Sequence, residues 1–188
     1  MRHVVDLNKN TNSRNFNPDF RYLRVVSGDV VVFFALGNMD ADSHGPVEVW
    51  YSAGREVLRL QNGHVVGTTG LFTEWRNVSM PVLPPWSALA KENQPYRWTR
   101  IRDVMPGYRY GIRDDLVLRP IPTPERSSLS GPEPNKLVWF EEEDVSKALP
   151  PARYAVDMSD GSVVYGELCL ARDLCFSWQR VADLKGSK

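Results

Sequence analysis

The residues best suited to chemistry are aromatic and basic. Six tryptophans stand in a chain of 188 residues, and Trp75, Trp86 and Trp98 fall in or near irregular segments beside Arg76, Arg97 and Arg100. An indole offers a flat apolar face to the C–H side of a sugar ring, and a guanidinium pairs with a uronate or pyruvate carboxylate. Trp86, Arg97, Trp98 and Arg100 are therefore the candidate ligand-binding residues, for an acidic polysaccharide. Pro84 and Pro85 stiffen the approach to Trp86, so its ring is presented at little entropic cost. The same residue types anchor protein interfaces, and rings packed beneath their loops are the plainer alternative. Trp50, Trp139 and Trp178 lie in alternating patterns and read as core.

Other chemical groupings are weaker. Glu141-Glu142-Glu143-Asp144 lacks the alternating ligand spacing of a calcium loop and reads as a solvated loop. Carboxylates for glycoside hydrolysis must sit ~5–9.5 Å apart, which adjacency in sequence does not establish. Gly67-Thr68-Thr69-Gly70 has no lysine and no strand-to-helix setting for phosphate, and reads as a turn. His3, His44 and His64 are scattered, and no G-x-S-x-G elbow occurs. The reading has no catalytic residue, no metal site and no cofactor. Cys169 and Cys175 are the only cysteines. Two strands joined through Ala171-Arg172-Asp173 would set them opposite each other, where a disulfide is worth roughly 2 kcal/mol. A reduced buried pair and, more remotely, a zinc site are the alternatives.

The elements that must position these groups are strands. Gly45–Leu71 holds three short runs with apolar residues at alternate positions, separated by Ser52-Ala53-Gly54-Arg55 and by Asn62-Gly63. Asn62-Gly63 between two such runs predicts a type I′ hairpin with positive φ at both residues. That turn sets Gln61 against His64, Leu60 against Val65 and Arg59 against Val66. Further hairpins are expected around Ser27-Gly28-Asp29, Met105-Pro106-Gly107 and Asp160-Gly161. Gly37–Gly45 reads as a polar loop, Trp86–Asn93 as one short helix, and the proline-rich Pro120–Pro134 as a loop or linker. The fold class is all-β: a single-domain antiparallel meander over residues 15–188 closing into a barrel-like sheet, after a flexible lead-in at 1–14. Closure removes exposed edges, and a two-sheet sandwich is the alternative.

Bulk properties narrow the partners. Basic and acidic residues balance at 23 each, which argues against nonspecific nucleic-acid or anionic-membrane binding. No run approaches the roughly 18–20 apolar residues that span a bilayer. The opening Met1-Arg2-His3-Val4-Val5-Asp6 lacks the apolar stretch and cleavage site of a signal peptide.

Several strings occur together in order: Asn15-Phe16-Asn17-Pro18-Asp19-Phe20-Arg21-Tyr22-Leu23-Arg24-Val25, Gly45-Pro46-Val47-Glu48-Val49-Trp50-Tyr51-Ser52, the Asn62-Gly63 hairpin, and Gly67-Thr68-Thr69-Gly70-Leu71. Tyr108-Arg109-Tyr110, Leu137-Val138-Trp139-Phe140-Glu141 and Tyr165-Gly166-Glu167 with Cys169 and Cys175 continue the series. In this order the chain resembles the YjbF/GfcB family, lipoproteins of the periplasm or outer membrane encoded with exopolysaccharide and capsule export machinery. The resemblance favours the barrel and an exported, disulfide-bearing chain. It implies a noncatalytic role in assembly or export of extracellular polysaccharide, with a glycan or an envelope export protein as partner. Membrane attachment would run only through a lipid anchor absent from this chain, a soluble part expected to have lost its leader and lipid-bearing cysteine. A glycan-modifying enzyme and a purely structural adaptor are the rival readings.

Overall fold

The computed structural model describes residues 16–181, so the expected lead-in at 1–14 lies outside the described residues. Twelve antiparallel strands form one nearly closed, barrel-shaped sheet. They are β1 (Tyr22–Ser27), β2 (Val30–Asp40), β3 (Val47–Ser52), β4 (Val57–Gln61), β5 (His64–Thr69), β6 (Glu74–Ser79), β7 (Tyr96–Met105), β8 (Arg109–Ile121), β9 (Val138–Asp144), β10 (Ala152–Asp157), β11 (Ser162–Ala171) and β12 (Leu174–Arg180). The order across the sheet is β5-β4-β3-β2-β1-β12-β11-β10-β9-β8-β7-β6. The first and last strands therefore pair in the middle of the sheet, with Leu23 opposite Arg180 and Val26 opposite Ser177. The barrel, rather than the sandwich, is the architecture.

Its closing seam lies between β5 and β6, which run side by side without a hydrogen-bonded ladder. A side chain substitutes for part of it: the Trp75 backbone N–H donates to Thr68 Oγ1 at 2.9 Å. The connection from β6 to β7 covers one end of the barrel. There α1 (Trp86–Glu92) seats Trp86 and Leu89 in the core, and Trp86 Nε1 donates to the Asn62 carbonyl at 3.0 Å.

The hairpin at Asn62-Gly63 has φ of 49° and 83° at its two central residues. Gln61 faces His64 and Leu60 faces Val65, but Arg59 faces Gly67 instead of Val66, because a bulge inserts one extra residue into β5. A Cβ on Gly63 would lie 2.4 Å from a Val163 methyl, so the position excludes side chains by space as well as by φ. Gly63→Val is expected to lower stability by more than ~1 kcal/mol, read as a reduced urea midpoint at unchanged slope. Gly166 has a different reason to be glycine. Trp178 stands opposite it and lies so close that a Cβ would meet the indole at 2.7 Å.

Three local expectations need correction. The segment Gly67–Thr69 is strand and not turn, with Thr68 fully buried beside the seam. Strand β2 runs on through Asp40, so the polar connection shrinks to the residues before Val47. The acidic run is not a solvated loop. It is the second half of β9, where alternation sends Glu142 and Asp144 inward to burial while Glu141 faces out to Arg119 at 2.8 Å and Arg153 at 3.3 Å. Polarity concealed this strand, because its inward carboxylates find their partners inside the fold: Glu142 meets Arg100 on β7, and Asp144 accepts from the Ser146 hydroxyl and the Ala148 amide.

The proline-rich segment is a packed strap. Its Ser128 and Ser130 amides donate to Tyr165 Oη and Gln179 Oε1 at 3.1 and 2.8 Å. Beneath it Trp139, Ala155 and Tyr165 form a small second cluster outside the barrel, with Trp139 Nε1 donating to the Pro134 carbonyl at 3.0 Å. Cys169 and Cys175 are direct partners across β11 and β12 and are disulfide-bonded. Titration of denatured, unreduced protein made in an oxidising compartment should find almost no free thiol, and two thiols per chain would contradict the bond.

Candidate functional site

Alternation along β7 sends Trp98, Arg100, Arg102 and Val104 into the barrel, and β8 contributes Asp114, Leu116 and Leu118 from the facing register. Asp114 holds both arginines. Arg102 Nε and Nη2 donate to its two oxygens at 2.6 and 3.0 Å, and Arg100 Nε donates to Oδ2 at 2.9 Å. Both guanidiniums also lie over the Trp75 ring, at 4.5 and 5.1 Å from its centroid. Burial pushes the Asp114 carboxyl upward, but the two arginines outweigh it and hold the group below its usual range.

Toward the helix-capped end the cluster becomes aromatic. His64 stacks on Tyr154 at 4.9 Å and 12°, with Trp86 and Trp98 at 5.2 and 5.5 Å. Glu142 receives the Tyr154 hydroxyl at 3.4 Å and lies 3.6 Å from Arg100 Nη1. Burial raises the Glu142 carboxyl to about 7 despite Arg100. Burial also lowers His64 to about 3, and the Arg100 charge adds to that effect. The 3.8 Å approach of His64 Nε2 to Glu142 Oε2 is therefore not an ion pair near neutral pH, since the imidazole is uncharged. Neither ring nitrogen has a hydrogen-bond partner. A cavity of about 20 Å³ reaches Glu142 and Arg100 between Trp75 and Leu149, enough for about one water. The interior can hold a proton, but a sugar ring has no room there.

The four sequence candidates do not form one surface. Trp86, Trp98 and Arg100 are 2%, 6% and 8% exposed, and Trp98 and Arg100 belong to β7 rather than to a loop. They pack in the core because their strand and helix positions face inward. Arg97, one residue out of phase, is exposed. It borders a shallow hollow of about 290 Å³ with Trp98, Thr99, Asp115, Leu116 and Val145. Sequence reasoning missed His64, Glu142, Tyr154, Arg102 and Asp114. The signal was present as matched inward phases: Arg100 and Arg102 two apart on one strand, Glu142 and Asp144 two apart on another.

The exposed counterpart is the tip of the β7–β8 hairpin. The β9 ladder ends where Asp144 faces Leu116, so the first residues of β8 run past it. At that tip Tyr108 and Tyr110 are 72% and 66% exposed and flank Arg109. Among the described residues, no three His, Cys, Asp or Glu side chains group as metal ligands.

Comparison with known proteins locates this architecture. The sequence family described as "Group 4 capsule polysaccharide lipoprotein gfcB, YjbF" matches residues 14–146. Among solved structures, the chain is similar to the hypothetical lipoprotein YmcC from Escherichia coli K12, with a TM-score of 0.61 at 18% identity. The match covers 87% of this chain and 86% of that one, and at this identity it speaks for the fold. No curated protein matches the chain.

Proposed function

We propose, because the chain belongs to the YjbF family of group 4 capsule polysaccharide lipoproteins, that it works at the cell envelope in assembling or exporting extracellular polysaccharide. In this reading it binds the polymer and does not cleave it. The supporting observation is the hairpin tip, where two largely exposed tyrosines flank Arg109, which has no ion-pair partner among the described residues. Tyrosine rings stack on the apolar face of a sugar, and a guanidinium without an internal counter-ion is available to a glycan carboxylate. Arg97 and its hollow lie on the same hairpin and extend the surface toward the barrel wall. The packed interior directs binding to this outer surface.

Purified capsular polysaccharide should bind the wild-type chain weakly per sugar and more weakly as salt rises, since exposed charges are screened within about 10 Å at 0.1 M. Tyr108→Ala with Tyr110→Ala, and separately Arg97→Ala with Arg109→Ala, should each reduce affinity about tenfold or more with unchanged melting. Wild-type affinity in both variants, or no binding by wild type, would favour the adaptor reading. That second reading rests on a specific feature, the bare Phe72 at the same end of the barrel.

A further inference from the structure

Six connections gather at the barrel end opposite α1, those joining β1–β2, β3–β4, β5–β6, β7–β8, β9–β10 and β11–β12. Phe72, in the β5–β6 connection, is 83% exposed. Its neighbour Leu71 lines an apolar hollow of about 160 Å³ in the same end. Val30, Val32, Phe34, Leu58, Leu174 and Phe176 line it too, with Ser27 and Glu56 as its polar members. We propose that two copies of this chain associate end to end, each inserting Phe72 into the hollow of the other.

Size identifies the occupant. Apolar cavities of about 150 Å³ hold one benzene ring, the size of a phenylalanine head. A sugar would leave its hydroxyls unsatisfied against such walls. Placement supplies the symmetry. Phe72 and the hollow share one face and adjoin through Leu71, so a two-fold axis between them makes both insertions at once, which is an isologous contact. Val30 stands at the lip and is 48% exposed, so the apolar surface continues beyond the hollow. Exposed aromatics contribute about 150–250 Å² each. Phe72 with Tyr108, Val30 and Val145 at this end therefore supplies a large part of the roughly 800 Å² per partner that a stable interface needs.

Sedimentation of the full chain should show a monomer–dimer equilibrium that moves with concentration. Phe72→Asp, a change at an exposed residue, should leave circular dichroism and melting unchanged while raising the dimer dissociation constant about tenfold or more. Val30→Asp should do the same from the hollow's side. An equimolar mixture of the two variants should recover part of the dimer, because Phe72 of one meets the unaltered hollow of the other. A photo-crosslinking phenylalanine at position 72 should give a covalent dimer whose link maps to the hollow. A wild-type monomer up to the solubility limit, variants that dimerise like wild type, or a crosslink confined within one chain would each overturn the proposal. Tyr108 borders both surfaces, but the dimer test reads Phe72 and Val30 and the Arg97→Ala with Arg109→Ala variant reads glycan binding alone, so failure of either leaves the other standing.

Discussion

Asp114→Ala is expected to destabilise the fold by about 3–5 kcal/mol, the usual cost of removing one partner from a buried ion pair. Arg100 and Arg102 both donate to this carboxylate and are themselves 8% and 5% exposed. Without it, two guanidiniums remain in the interior with only Glu142 near Arg100. Asp114→Asn keeps the volume and should cost less. It also carries a second signature. The Asp114 charge is one of the influences raising Glu142, so its removal should lower the Glu142 pKa and make that carboxylate the surviving counter-ion. Urea unfolding at unchanged slope measures the first effect, and the pH dependence of the midpoint measures the second. A wild-type midpoint in Asp114→Ala would show that the arginines are not held as described. By contrast, Glu141→Ala on the outer face should cost under ~1 kcal/mol, because its partners Arg119 and Arg153 reach solvent and can be hydrated once the half-buried carboxylate is gone.

Stability should fall steeply below about pH 4.5 and stay nearly level from there to about 6.5, as far as the buried pair determines it. His64 is held at about 3 in the fold against 6.5 in the open chain. Between those values only the unfolded chain carries the proton, so this residue makes stability rise with pH. Glu142 behaves oppositely. Its folded value of about 7 lies above the ordinary 4.5 of the open chain, so over that interval the folded chain carries the proton and stability falls as pH rises. From about 4.5 to 6.5 the two proton counts match and the slopes cancel. Below 4.5 only the His64 contribution remains, approaching about 1.4 kcal/mol per pH unit. Glu142→Gln removes one side of the balance and should uncover the histidine slope up to about pH 6.5. If that variant and wild type have the same pH profile, Glu142 does not bind its proton in the fold.

Much of the strand framework was legible in the sequence, because turn chemistry is local. Asn62-Gly63, Asp160-Gly161 and Met105-Pro106-Gly107 each mark a reversal through backbone demands that few other residues meet, and Cys169 and Cys175 met as the last hairpin required. The interior cluster was not legible, because its logic is nonlocal. Glu142 resembles a surface residue until Arg100 on a strand two positions away in the sheet supplies the reason for its burial. The bulge in β5 shows the same limit: one extra residue shifts Arg59 from Val66 to Gly67, and nothing in the flanking residues announces it. Trp86 and Trp98 failed as surface candidates for a related reason. Trp86 follows two prolines and Trp98 stands beside arginines, but the faces they occupy were set by strand phase and by the seating of α1.

The meeting of β1 with β12, and the missing ladder between β5 and β6, amount to a displaced cut in a ring. Joining the ends near Tyr22 and Val181, where the Val181 amide already donates to the Tyr22 carbonyl at 3.0 Å, and opening the chain between Gly70 and Thr73 would start it at β6 and finish it at β5. Every strand would then pair only with its neighbours in sequence, and no ladder would be cut. The native connectivity instead makes the chain close its longest loop to pair Leu23 with Arg180. Loop closure of that span slows folding more than it alters stability. The rearranged chain should therefore reach the same barrel sooner, with the seam unchanged in place.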